Sequence, residues 1–111
     1  MKCAYAYIRV SGKGQIKGTG LDRQKETIVN YAKQNGYEIE KFYRDEGVSG
    51  TKVSRPALAS MMVSLEQNGT GIETVIIEKL DRLARDIMVQ EAIIGDFQKN
   101  NFKLISALEG S

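Results

Sequence analysis

Short runs of β-branched and aromatic residues alternate with helical periods along the whole chain, and this alternation restricts the architecture more than any other feature. Cys3 to Val10 sets Ala4, Ala6, Ile8 and Val10 against Tyr5, Tyr7 and Arg9, which reads as a strand ending at Ser11-Gly12. From Leu21 to Asn35 the residues Leu21, Ile28, Val29 and Ala32 follow a helical period, with Thr19 or Asp22 as the cap and Gly36 just past the end. Tyr37 to Asp45 is a second strand through Ile39, Phe42 and Tyr43, followed by a polar loop from Glu46 to Ser54. Pro56 opens a second helix carrying Leu58, Met61, Met62 and Leu65, which Asn68-Gly69 closes. Thr74 to Ile77 is a third strand, Ile87 to Lys99 a third helix through Ile87, Ile93, Ile94 and Phe97, and Phe102 to Ala107 a fourth strand. Parallel strands need crossovers, and helices make them. The pattern predicts an α/β fold, a mainly parallel sheet of four or five strands with helices on both faces.

A chain of 111 residues, 41% of them hydrophobic, has material for one core. No repeat or linker divides it. Net charge is +2 with 27% charged residues, so any affinity for nucleic acid must be local. The lone cysteine, Cys3, reads as a small buried hydrophobe in a reducing compartment. No apolar stretch reaches the length of a membrane span and no secretory signal opens the chain, so a soluble, cytoplasmic protein is expected. The last strand is followed only by Leu108-Glu109-Gly110-Ser111, which predicts a domain cut short of a longer protein.

In a parallel sheet the carboxyl ends of all strands meet at one edge. Arg9 and Ser11 follow the first strand, Asp45, Ser49 and Arg55 the second, and Lys79, Asp81, Arg82 and Arg85 the third. If the turn holding Arg82 and Arg85 is already helical, their three-residue spacing puts both guanidinium groups on one face, able to grip one anion. Histidine is absent, which removes the usual base for a serine nucleophile and the usual soft metal ligand. Asp45, Glu46, Glu78 and Asp81 are the carboxylates available for a hard cation, but basic groups outnumber them locally, and no metal site is expected. The glycine-rich run from Gly12 to Gly20 lacks the Gly-Lys-Ser/Thr ending of a phosphate-binding P-loop and reads as a loop over the site. Taken singly, each residue has an ordinary structural role open to it: Ser11 in a turn, the arginines paired with Asp81 or Asp86, Tyr5, Tyr7 and Met61-Met62 in the core.

Four blocks in order carry a family resemblance: Tyr7-Ile8-Arg9-Val10-Ser11; Leu21-Asp22-Arg23-Gln24; Asp45-Glu46-Gly47-Val48-Ser49-Gly50 with Arg55-Pro56-Ala57-Leu58; and Lys79-Leu80-Asp81-Arg82-Leu83-Ala84-Arg85-Asp86. Together they resemble the serine site-specific DNA recombinases, the family of resolvases, invertases and large serine integrases. The spacing of the Ser49 and Arg55 blocks is closer to large integrases and transposon recombinases than to small resolvases.

The resemblance implies a three-layer resolvase-like fold and Ser11 as a nucleophile that becomes joined to a DNA 5′-phosphate, with no metal, ATP or other cofactor. Arg9, Arg82 and Arg85 would hold the scissile phosphate, and Asp81 would orient an arginine or assist proton transfer. Arg55, Gln24, Ser49 and Tyr7 would complete the phosphate surroundings. The complete protein would act on DNA as a homodimer or homotetramer, through a long helix and a DNA-binding region beyond residue 111. The alternatives are a nucleotide- or flavin-binding doubly wound module without covalent chemistry, and a noncatalytic interaction domain on the same fold.

Overall fold

The computed structural model describes residues 2–10, 20–46, 56–67, 71–84 and 86–109, except the side chains of residues 10, 20, 21, 46 and 82. Four strands, β1 (Lys2–Val10), β2 (Tyr37–Glu46), β3 (Thr74–Ile77) and β4 (Lys103–Ser106), form one parallel sheet in the order β2-β1-β3-β4. The crossovers contain α1 (Gly20–Asn35), α2 (Pro56–Gln67), the single turn α3 (Leu80–Leu83) and α4 (Ile87–Lys99). Among the described residues no helix is long and apolar enough to cross a membrane.

Period-two alternation in β1 divides the core into two layers. Ala4, Ala6 and Ile8 pack with Ile28 and Ala32 of α1, together with Ile76 and Ile105. Tyr5 and Tyr7 face the other way, toward Leu58, Met61 and Leu65 of α2, Leu83 of α3 and Phe97 of α4. Because both faces are covered, the middles of the central strands, residues 4–8 of β1 and 75–77 of β3, are buried and carry no charged residue on either face. The register of β2 against β1 shifts after Ala4: Ile39 pairs with Ala4, whereas Tyr5 pairs with Lys41. Glu40 is thus an extra residue in β2, a bulge that reverses the facing of everything after it. Ile39 and Phe42 therefore both pack toward α1, while Tyr43 joins the opposite layer.

Three expectations are corrected. Cys3 is exposed, because β1 is flanked by β3 only from Tyr5 onward and its amino end lies outside that pairing. Ile87 is 65% exposed; the buried stripe of α4 runs instead through Gln90, Ile93, Ile94 and Phe97, which are spaced for one helix face. Asp22 lies within the first turn of α1 rather than before it, and Thr19, Asn68 and Gly69 lie outside the described residues.

Gly36 ends α1 with φ +78°, and its carbonyl accepts from the Lys2 amide at 3.1 Å. A Cβ there would meet nothing within 4 Å, so the objection to a side chain is conformational, not steric. Gly36→Ala should lower stability by about 1 kcal/mol, read as a lower urea midpoint with an unchanged m-value.

Candidate active site at the carboxyl edge of the sheet

The chain runs from β1 outward to β2, then crosses back to place β3 and β4 on the other side, so the direction of winding reverses between β1 and β3. In doubly wound sheets the crevice at the carboxyl ends beside such a reversal is where ligands bind. Here that edge carries a row of buried polar residues in strand order: Asp45 of β2, Arg9 of β1, Glu78 just after β3 and Ser106 of β4.

Arg9 is only 2% exposed. Its Nη2 donates at 2.7 Å to the main-chain carbonyl of Asp81, 72 positions away, in α3. That turn is held from two further directions. The Gln90 carboxamide of α4 donates to the carbonyls of Leu80 and Ala84 at 3.2 and 2.9 Å. The Glu109 carboxylate accepts the Leu80 amide at 3.0 Å and the Ser106 hydroxyl at 2.5 Å. The carboxyl of Glu109 is consequently held below the ordinary glutamate value of 4.5, first by the Ser106 hydroxyl and then by the Leu80 amide.

Adjacent residues of α1 reach both strands that flank the reversal. Gln24, fully buried, donates through Nε2 to the Arg9 carbonyl at 3.2 Å. Its Oε1 is buried with no partner among the described residues. Arg23 pairs with the buried Glu78 carboxylate at 2.5 Å.

At the other end of the row, Asp45 accepts from the Tyr7 hydroxyl at 2.8 Å and from the amides of Ala57 and Leu58 at 2.9 and 3.2 Å. It satisfies the first amides of α2, which no intrahelical carbonyl can reach. The Glu40 bulge makes this possible by turning Asp45 to the α2 face of the sheet.

The structure brings together Arg9 and the Asp81-Arg82 turn, which the parallel-sheet pattern set at one edge, and Gln24, which the family resemblance named. Tyr7 is fully buried and its hydroxyl is given to Asp45, so it meets the site through that carboxylate. Asp81 contributes a carbonyl to Arg9, and its own side chain is exposed. The condition under which Arg82 and Arg85 would share one helical face is not met: α3 ends at Leu83, and Ala84 is extended (φ −165°, ψ 142°) and buried with Leu83. Asp86 caps α4, accepting from the amides of Met88 and Val89. Ser11, the glycine-rich run that follows it, Ser49, Arg55 and Arg85 lie outside the described residues. Sequence reasoning passed over Arg23, Gln90, Ser106 and Glu109. For Gln90 a signal existed: a polar residue seven positions before Phe97 on an otherwise apolar stripe.

Comparison with known proteins places these residues in a family. The family described as Resolvase, N terminal domain, matches residues 4–110. The N-terminal catalytic domain of TP901-1 integrase is 33% identical with a TM-score of 0.86, covering 98% of this chain and 80% of that one. A resolvase family site-specific recombinase from Streptococcus pneumoniae is 31% identical with a TM-score of 0.84, covering 100% of this chain and 75% of that one. A Bacillus subtilis (strain 168) protein named "Putative DNA recombinase" is 39% identical over 101 residues, which are 89% of this chain and 19% of that protein. The chain therefore spans about a fifth of the length of that relative.

Two measurements check this geometry. Asp45→Ala removes the acceptor of the Tyr7 hydroxyl bond and of two helix amides and should cost about 2–3 kcal/mol of stability in denaturant titration. Because the Glu109 carboxyl is depressed, its contribution is present above pH 4.5 and is lost as pH falls through its lower folded value. An NMR titration should put the Glu109 midpoint below 4.5, with the Leu80 amide following it, and Ser106→Ala should move that midpoint upward.

Proposed function

This chain belongs to the resolvase N-terminal domain family of serine recombinases, and we propose that residues 1–111 are the catalytic domain of a longer site-specific DNA recombinase in which Ser11 is the nucleophile. The observation that carries the reading is the hydrogen bond from Arg9 to the Asp81 carbonyl. It joins the block that contains Ser11 to the block that contains Arg82 and Arg85, in the crevice where the winding reverses. Ser11 follows Val10, the last residue of β1, by one peptide bond.

In this reading the Ser11 hydroxyl oxygen attacks a DNA phosphorus, a 5′-phosphoseryl bond forms and the 3′-oxygen leaves as a free hydroxyl. A 3′-hydroxyl from another strand then reverses the step. One phosphoester replaces another at each stage, so no ATP is consumed. Arg9, Arg82 and Arg85 supply paired donors to the phosphoryl oxygens, which carry the charge that develops during transfer, so no metal or other cofactor is required. Gln24 adds a buried acceptor beside Arg9. Asp81 orients an arginine or assists proton transfer. Arg55 precedes the first turn of α2, whose amides Asp45 secures, and Ser49 and Tyr7 complete the margin. DNA is the partner, and the complete protein acts in the cytoplasm as a homodimer or homotetramer. The chain is about as similar to TP901-1 integrase and to an IS607-like serine recombinase, 30% identical with a TM-score of 0.80, as to the resolvase family recombinase, so the preference for the large-integrase and transposon branch rests on the spacing of the Ser49 and Arg55 blocks.

Full-length protein incubated with DNA bearing its site should yield a denaturant-resistant protein–DNA adduct that Ser11→Ala abolishes without unfolding the protein. The adduct should persist in excess chelator; a strict magnesium requirement for strand cutting would count against the reading. Arg9→Lys and Arg82→Lys keep the charge but lose the planar fork, and each should slow cleavage by roughly 100-fold or more. Residues 1–111 alone should fold yet neither select that DNA site over random duplex nor recombine it, because specific interfaces bury roughly 1,000–2,500 Å² of protein and use base-reading elements.

A further inference from the structure

A four-residue turn of helix cannot hold its own position. The segment α3 spans only four residues; a backbone bond from the Ala84 amide to the Leu80 carbonyl at 3.1 Å closes its end, and both flanking residues, Lys79 and Ala84, are extended. Nucleating a single helical turn is unfavourable, so its placement must come from outside.

Gln90 supplies a tie at both ends of the turn. Its Nε2 donates to the carbonyl of Leu80, the first residue of α3, and to that of Ala84, the residue after its last. Both amide hydrogens of one carboxamide are thereby used. Gln90 is 8% exposed and sits on the stripe of α4 that otherwise holds Ile93, Ile94 and Phe97. A carboxamide in an apolar seam is tolerated when its donors are satisfied.

We infer that Gln90 is a positioning residue for the phosphate-gripping turn: through these two carbonyls it fixes the backbone that bears Arg82 and leads into Arg85. The functional half of this inference rests on the recombinase reading above; the structural half rests on the hydrogen bonds alone.

Three substitutions separate donation from packing. Gln90→Met keeps the length and removes the donors, Gln90→Glu turns a carboxylate toward two carbonyls, and Gln90→Lys keeps a donor at similar reach. With full-length protein and DNA carrying its site, Gln90→Met and Gln90→Glu should form the Ser11-dependent adduct roughly 10- to 100-fold more slowly. Affinity for DNA should stay within about twofold, since most of the contacts that set it lie elsewhere, and Gln90→Lys should recover most of the rate. Hydrogen exchange of the Leu80–Ala84 amides should rise about 10-fold in Gln90→Met, while sheet amides such as that of Ile76 stay protected. A wild-type rate in Gln90→Met, unchanged exchange in the turn, or a Gln90→Lys rate as low as that of Gln90→Met would each overturn the inference. If the wild type itself forms no Ser11-dependent adduct, the recombinase reading fails instead, and the exchange measurement alone then decides whether Gln90 holds the turn.

Discussion

The guanidinium of Arg9 is permanently charged and almost wholly removed from water. An ion of this kind costs several kcal/mol to bury unless acceptors surround it, so the chain around it is constrained to provide them. One acceptor is a main-chain carbonyl of α3, on the α2–α4 side of the sheet, the side that β1 alternation assigns to residue 9. The carbonyl of the same residue accepts from Gln24 of α1, which covers the opposite face. A single residue at the end of the central strand therefore fastens elements of both outer layers. The neighbouring strand ends repeat the principle in milder form, with Glu78 paired to Arg23 and Asp45 bonded to the first turn of α2.

Several acidic residues at this edge likewise bond to the protein itself. Asp45 and Glu78 each answer donors of the protein itself, and Asp86 and Glu109 bond amides at the starts of α4 and α3. Their chemistry is directed inward, toward fixing the backbone.

Much of the fold was legible because it depends on local periodicity. The strand Thr74–Ile77 and the helix Ile87–Lys99 have the ends that β-branching and helical spacing predict, and Gly36 takes the left-handed conformation expected of a residue closing a helix. Convergence of Arg9 and Asp81 at one edge followed from the parallel sheet, whereas Gln24, on a helix, was named only through the family resemblance. Features set by distant partners were not legible. Cys3 is exposed because of where β3 begins, and Ile87 is exposed at the first residue of α4, one turn before the buried stripe starts at Gln90. The break at Ala84 reflects burial of Leu83, which no count of residues between Arg82 and Arg85 reveals.

The extra residue at Glu40 has a bearing on how the sheet resists misassembly. Strand β2 lies at one margin of the sheet, and an unbroken strand in that place could slide along β1 or recruit a foreign strand. A strand whose two halves are out of phase has no such freedom. Sliding by one residue would turn Ile39 and Phe42 away from α1 and, in the same motion, pull Asp45 off α2. No single displacement suits both halves, so the irregularity acts as a key that admits one alignment. The kink it introduces also spoils the straight template that another chain would need for pairing.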